Sequence, residues 1–490
     1  MDSVKAEAND VHNTDITRVI ESKDADSPTG QTTFCIGCGA CAFVDPAFRI
    51  IKNSDGCLQA EQVSDTDLRA ASQVCPFASR YDENRIAETL FAGVDGIKHD
   101  ENLGYFLDTY VGYVKQDGYR ERGSSGGFIS WLAATMLKQG LIDAVIHVKD
   151  GDSPENMYGY QISHTPEEVT QGAKSKYYPI TMSEVLKYVS DNAGRYLFIG
   201  IPCFIKSVRL IARQNPVIKE RIPYCIGLVC GHLKSDFFAK SEAWESGIPP
   251  QSLERVDFRY KLQGRPASDY AIKVDGRGPE SPHSVIKRTA DLSTTDWGLG
   301  YFKYNACDFC DDVLAETADV TFGDAWLPKY AGDGLGTNVI VVRNPEIATI
   351  LDEHADEIQL FDSSPAEIYQ SQAGGFRHRR QGLSYRIETK RARGEWVPTK
   401  RRFTGIQAPS ERRKEVYAMR TRLKNESFQA YHEAEAAGDF SKFVAHMKPL
   451  VRRYRRISVP LLTRIKRSIG HLLPAGVKTN LKRLLRIKRA

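Results

Sequence analysis

Tyr110-Val-Gly-Tyr-Val114 is followed by Gly123-Ser-Ser-Gly-Gly127, an apolar run from Phe128 to Lys138, a stop at Gly140 and Ala144-Val-Ile-His-Val148. In order, this predicts a strand, a glycine–serine loop, a helix and a second strand. Such a loop presents backbone N–H groups and the positive end of a helix dipole, which suits a phosphate. No Gly-Lys-Ser/Thr follows, so it is not a P-loop, and its glycine spacing does not match the dinucleotide fingerprint. The plain alternative is a helix capped by Ser124 or Ser125.

The alternation continues outward. Past a polar, basic turn at 172–180 come a helix over Met182–Asn192 and a strand from Tyr196 leading to Cys203. A helix over Phe204–Arg213 and a strand over Cys225–Cys230 follow, then strands at Val256–Lys261, Ala318–Trp326 and Asn338–Val342. Alternating strands and helices predict a mixed α/β architecture. The sequence has no internal repeat.

The chain has 490 residues, which at about 150 per domain is roughly three domains. Its hydrophobic share of 41% and charged share of 26% exclude a mostly disordered chain, a collagen-like chain and a small disulfide-stapled fold. The net charge of +5 hides an asymmetry. Residues 1–372 hold 36 basic and 54 acidic residues, 373–447 hold 17 and 8, and 448–490 hold 14 and none. The first 33 residues have neither a signal-peptide core nor an Arg-rich transit pattern. No run reaches the ~18 uncharged apolar residues of a spanning helix. A cytoplasmic location is expected, and there cysteines serve as metal ligands or catalytic groups more than as disulfides.

Ten cysteines are present. Cys35-x2-Cys38-x2-Cys41, with a later Cys75-Pro76, is the ligand run of a [4Fe–4S] cluster. A tight loop brings successive sulfurs to different irons of one cube, and Gly37 and Gly39 let the backbone turn around it. Asp45 stands where a two-cluster ferredoxin would place a further cysteine, so one cluster is expected here. A four-thiolate zinc site is the alternative, though zinc ribbons use two Cys-x2-Cys pairs. Cys203 and Cys230 follow apolar strands, where open α/β sheets gather their sites. With Cys307-x2-Cys310 they form a plausible second quartet; the alternative for Cys203 and Cys230 is a pair of buried, inert thiols. Asp308, Asp311 and Asp312 would raise the neighbouring thiols, which disfavours a redox dithiol. Cys57 and Cys225 remain over.

Taken together, the chain resembles the beta-subunit family of coenzyme F420 hydrogenases and dehydrogenases. The stations are Cys35/Cys38/Cys41, Ser124–Gly127, Ser175-Lys-Tyr177, Gly200-Ile-Pro-Cys203, Cys230, Arg259-Tyr-Lys261, Cys307-x2-Cys310 and Gly323-Asp-Ala-Trp326, running in order from about 34 to about 345. The resemblance implies an iron–sulfur flavoprotein oxidoreductase that passes electrons between [4Fe–4S] clusters and a substrate through FAD. Residues 1–33 read as a flexible leader, longer than a minimal member of the family needs, and 34–100 as an N-terminal ferredoxin-like cluster segment; the resemblance implies an α/β flavin-binding domain over 101–372. Cys203, Cys230, Cys307 and Cys310 would then hold a second cluster. Ser124, Ser125, Gly126 and Gly127 would cradle the FAD pyrophosphate, and Ser175, Lys176 and Tyr177 would contact the flavin or its phosphates. Asp324 and Asn338 would line the isoalloxazine or substrate pocket, and Arg259 and Lys261 would hold an anionic substrate tail. For Asp324 the alternative is a turn residue, and for Arg259 and Lys261 a solvated strand face. The expected partners are a small-molecule substrate and a redox protein such as a ferredoxin. A pure electron-transfer subunit and a zinc-stabilised adaptor are the competing functions.

The basic C-terminal third is not covered by this resemblance. Residues 373–447 read as a basic helical linker with a mixed-charge helix over Ser410–Asp439. Residues 448–490 read as an amphipathic tail, with Leu461, Leu462, Ile465, Ile469, Leu472 and Leu473 on one helical face among basic flanks. That is the composition of an in-plane helix on an anionic membrane, which would place the protein peripherally at the inner face; docking on an acidic protein partner is the alternative. Few aromatics interleave the basic residues, so no specific nucleic-acid binding is expected.

Overall fold

A computed structural model describes residues 16–21, 33–277, 283–402 and 406–459. Most of the expected leader, and the amphipathic face after Pro460, lie outside the described residues.

The quoted stretch forms the unit it predicts. Strand β1 (Asp108–Val114) leads through the glycine–serine loop into helix α1 (Phe128–Lys138) and strand β2 (Ala144–Ser153). Phe128, Trp131, Leu132 and Met136 bury one stripe of α1, and Phe128 stacks on Phe322 at 5.6 Å. There follow β3 (Asn156–Ser163), β4 (Tyr196–Gly200), helix α2 (Pro202–Ala212) and β5 (Tyr224–Leu228). Strands β6 (Val320–Asp324), β7 (Asn338–Val342) and β8 (Ile358–Asp362) complete an eight-stranded sheet in the order β8-β1-β7-β6-β5-β4-β2-β3.

Strands β2, β4, β5 and β6 are parallel. β7 runs against β6, and β1 runs against β7, so β1 shares the sense of the central four. β3 and β8 close the edges antiparallel. All five residues of β4 and of β7 are buried, as strands covered on both faces require. α2 begins two residues earlier than the sequence predicts, because Pro202 is pre-set for the first helical turn. That moves Cys203 from a strand end into a helix.

Residues 34–100 are more regular than their weak periodicity implies. A short helix at Ala40–Val44, a hairpin of Phe48–Lys52 with Leu58–Gln62, and a helix at Arg69–Val74 capped by Cys75 pack together. Asp45 serves its own turn, accepting from the Ala47 N–H at 2.9 Å and the Thr66 hydroxyl at 2.8 Å.

The basic region departs from the linker expectation. It forms α3 (Gln381–Ala392), α4 (Glu411–Ala437) and α5 (Phe440–Ser458), and the 447/448 boundary falls inside α5. Ser410 caps α4 and left-handed Gly438 ends it, so α5 folds back along it. Tyr431 stacks on Phe237 at 4.1 Å and Phe443 on Phe302 at 5.7 Å, docking both helices on the body. Before them, Arg401 is 4% exposed, forks onto Glu316 at 2.9 Å and reaches Asp311 at 3.1 Å. The acidic body and the basic third are thus partly each other's counter-ions. Among the described residues no helix is long and apolar enough to cross a membrane.

Candidate redox site

Cys35, Cys38, Cys41 and Cys75 line one apolar cavity, with Phe34 and Ile36 beside them. Two left-handed glycines, Gly37 (φ 65°) and Gly39 (φ 86°), bend the loop; a Cβ on Gly37 would lie 2.4 Å from Leu58. Cys35 Sγ accepts the N–H groups of Gly37 and Ala60, both at 3.3 Å. Burial pushes the Cys38 thiol up to about 12 and the Cys75 thiol up to about 11, with the other sulfurs of the group adding to it. Thiols so placed deprotonate when a cation takes up the charge. Four sulfurs, an apolar wall and N–H groups aimed at sulfur fit a [4Fe–4S] group.

The second quartet also comes together. Burial raises Cys203 well above its ordinary value, and Cys230, Cys310, Cys307 and then Cys38 add to it. Cys307 Sγ accepts the Leu233 N–H at 3.2 Å, and Cys310 Sγ accepts from Arg379 Nη1 at 3.4 Å. Burial is the main cause of the raised Cys310 thiol; Arg379 and Lys400 oppose it, Asp311 and Asp312 add to it as expected, and Asp308 is turned onto Lys303. Among the described residues no group of three or more Cys, His, Asp or Glu side chains is close enough to hold a metal ion as it stands.

Helix α2 joins the quartets. It carries Cys203 and, one turn on, Ser207, whose Oγ donates to the Cys203 carbonyl at 3.0 Å and lies 3.6 Å from Cys38 Sγ. Phe34, next to Cys35, meets Phe309, between Cys307 and Cys310, edge-on at 4.9 Å. Cys57 and Cys225 are buried and stand outside both groups.

The third part lies at the same carboxyl edge of the sheet, where β1, β4, β5 and β6 all end. Neither loop serine caps α1: Gly127 does, at φ 89°, with no side-chain hydrogen bond. Ser124 Oγ accepts instead from the Ser175 N–H at 2.8 Å, and Ser125 Oγ donates to the Thr337 carbonyl at 2.9 Å. A Cβ on Gly126 would lie 2.6 Å from Asn338 Oδ1 and 2.9 Å from the Gly112 carbonyl. Lys261 is no solvated strand residue, since its Nζ donates to the carbonyls of Arg120, Ser125 (3.3 Å) and Leu335 (2.6 Å). Burial, with Lys174, Arg120 and Arg259 around it, pushes Lys261 down to about 8. Arg259 is 5% exposed and pairs with Asp324 at 3.0 Å.

Asp324 and Asn338 face each other across β6 and β7. Asn338 Nδ2 donates to the Gly323 carbonyl at 3.0 Å, while its Oδ1 is buried without a hydrogen-bond partner among the described residues. Tyr177 packs edge-on against Trp297 at 4.7 Å. Lys176 turns elsewhere, donating to the Ala173 carbonyl and standing 3.7 Å from Asp150. Lys174, at a strained φ of 88°, is the lysine that reaches the Arg259 carbonyl (3.1 Å) and Asp257 (2.9 Å). The glycines let the loop pack against the Gly112 and Asn338 backbone and against Tyr119, which leaves the α1 N-terminus at the strand ends, a position suited to a phosphate. Sequence reasoning missed Ser207, Arg379 and Lys174. Only Ser207 carried a local signal, being four residues after Cys203 on a helix.

Residues 109–187 match the family model for the N-terminal part of coenzyme F420 hydrogenase/dehydrogenase beta subunits, and 193–366 match the model for their C-terminal part. The chain is 25% identical over 248 residues to an uncharacterized protein of Methanocaldococcus jannaschii, covering 47% of this chain and 78% of that one. It is 25% identical over 256 residues to the coenzyme F420-dependent sulfite reductase of the same organism, covering 49% of this chain but 36% of the relative. A chain from the F420-reducing [NiFe] hydrogenase complex of Methanosarcina barkeri is similar at TM-score 0.46 and 15% identity, over 62% of this chain and 98% of that one. The two family matches begin after the first cysteine run and end before the basic third, yet together they span more than half of the 490 residues: the chain belongs to the coenzyme F420 hydrogenase/dehydrogenase beta-subunit family.

Proposed function

We propose that this chain is an iron–sulfur flavoprotein oxidoreductase acting on a small molecule. Cys35, Cys38, Cys41 and Cys75 would hold one [4Fe–4S] cluster, and Cys203, Cys230, Cys307 and Cys310 a second. The α1 loop and Tyr177 would hold FAD. When bound, FAD exchanges electron pairs with an organic molecule and single electrons with iron–sulfur centres.

One observation carries this reading. Eight cysteines from distant stretches gather into two quartets that touch through two consecutive turns of α2, at the sheet edge that also holds the phosphate-suited loop.

The remaining roles belong to this chain's own side chains. Lys261 fixes the loop by its carbonyls and leaves the α1 N–H groups for phosphate oxygens. Asp324 holds Arg259 in place, and the guanidinium, over the rings of Tyr270 (4.4 Å) and Trp326 (5.6 Å), offers charge to an anionic part of a substrate. Asn338 Oδ1 would accept a donor on the bound group. A ferredoxin-type protein would exchange electrons with the clusters.

Anaerobic purification of the full chain, with iron, sulfide, zinc and flavin analysis, tests the proposal. About eight iron and one FAD per chain are expected. Zinc without flavin refutes it. Reduction of a substrate by the isolated chain, driven by a one-electron donor, separates an enzyme from an electron-transfer subunit.

A further inference from the structure

A cavity of about 350 Å³ lies between the turn at Asn305–Phe309 and helices α3 and α4. Both of those helices lie beyond residue 366, past the end of the family match. Its floor is charged out of balance. Three cations converge on the single carboxylate of Asp308: Lys303, Lys424 at 3.3 Å and Arg386 at 3.7 Å. All four side chains are 10% exposed or less. Among the described residues one negative charge offsets one of the three, which leaves two positive charges in a buried setting where uncompensated charge is costly. Burial pushes the Lys303 ammonium down to about 8, since Arg420, Arg386 and Lys424 oppose the pull of Asp308.

A second observation points the same way. Asn305 Oδ1 accepts from Lys424 at 2.8 Å, but its Nδ2 is buried and donates to nothing among the described residues. It lines the cavity and lacks an acceptor. The mouth adds Arg422, which pairs with Glu426 at 3.0 Å, a carboxylate that His446 also contacts at 2.8 Å.

We propose that this cavity is a binding site for a small polyanion bearing phosphate or carboxylate groups, held by Lys424, Arg386 and the Asn305 amide at the floor and by Arg422 at the mouth. The volume is that of a small-molecule site of sugar-phosphate or tricarboxylate size. The proposal is independent of what the cysteine quartets hold, because it rests on the surplus charge and the unused amide.

Calorimetric titration of the full-length protein at low ionic strength, with sodium pyrophosphate and with citrate, tests it. Saturable one-to-one binding of at least one probe is expected, and the tighter of the two identifies phosphate or carboxylate chemistry. Arg422→Glu, at a half-exposed side chain, should weaken binding about tenfold or more, as should Asn305→Asp, which keeps the volume but replaces the donor. Arg453→Glu, a reversal at an exposed site on α5, should leave it unchanged. Three results overturn the proposal: no saturable binding of either probe at millimolar concentration, equal weakening by the 422 and 453 reversals, or no weakening by Arg422→Glu, which would put the anion elsewhere.

Discussion

Arg401→Met removes the cation that knits the basic third to the acidic body. Its guanidinium forks onto Glu316 at 2.9 Å, reaches Asp311 at 3.1 Å and stands 3.6 Å from Glu83, with every side chain 6% exposed or less. Burial alone would raise the Glu316 carboxyl; Arg401 and Arg402 outweigh it and bring it from 4.5 down to about 2. At 1.36 kcal/mol per pKa unit that is about 3 kcal/mol of folding free energy, shared between the two arginines. Asp311 and Glu83 would lose the same partner. Breaking a buried pair from one side typically costs 3–5 kcal/mol, so a loss of about 3 kcal/mol is expected. Urea titration followed by tryptophan fluorescence measures it. Glu316→Gln with Arg401→Met should be less damaging than the two losses added, with a coupling above about 1 kcal/mol.

The sign with pH is fixed. A carboxyl lowered by folding stabilises the protein above its unfolded value of 4.5, and that contribution fades as pH falls toward about 2. The gap between wild type and variant should narrow over the same interval. A loss under about 1 kcal/mol at neutral pH, or strict additivity, would refute the reasoning.

Other outcomes follow from the geometry. Cys38→Ser should remove about four iron per chain while leaving the flavin, read by iron analysis and electron paramagnetic resonance; unchanged iron would remove Cys38 from the ligand set. Gly126→Val would place its Cβ 2.6 Å from Asn338 Oδ1 and should release flavin on gel filtration without unfolding the chain. Lys261→Met frees the carbonyls of Ser125 and Leu335 and should weaken flavin retention in the same assay. Because burial holds Lys261 at about 8, below its ordinary 10.5, the wild type should gain stability relative to this variant as pH rises from about 8 to 10.5, which thermal unfolding across that range checks.

Local patterns were legible in the sequence. The run from Tyr110 to Val148 specifies its strand, loop, helix and strand because apolar spacing and glycine positions act over a few residues. The first cysteine run was legible as one group for the same reason, since three sulfurs three residues apart must share one loop. The loop residues, Ser175, Arg259, Lys261, Asp324 and Asn338 were legible as residues, but their partners were not: Arg259 pairs with Asp324, and Lys261 donates to backbone carbonyls rather than facing solvent.

The rest depended on contacts the linear pattern does not encode. Basic residues read as solvent-facing until groups 69 to 116 positions away cover them, so Arg379 beside Cys310 and the Arg386–Lys424 floor were invisible one at a time. By itself the sequence determined the α/β class, the first cysteine quartet and the phosphate-suited loop, all of which are set by short-range spacing. Only the tertiary structure decided that Cys203, Cys230, Cys307 and Cys310 meet, that Ser207 carries them to within contact of Cys38, and that the basic third closes over an acidic body. Those are long-range pairings, fixed by how the sheet orders its strands and by which charges are buried together.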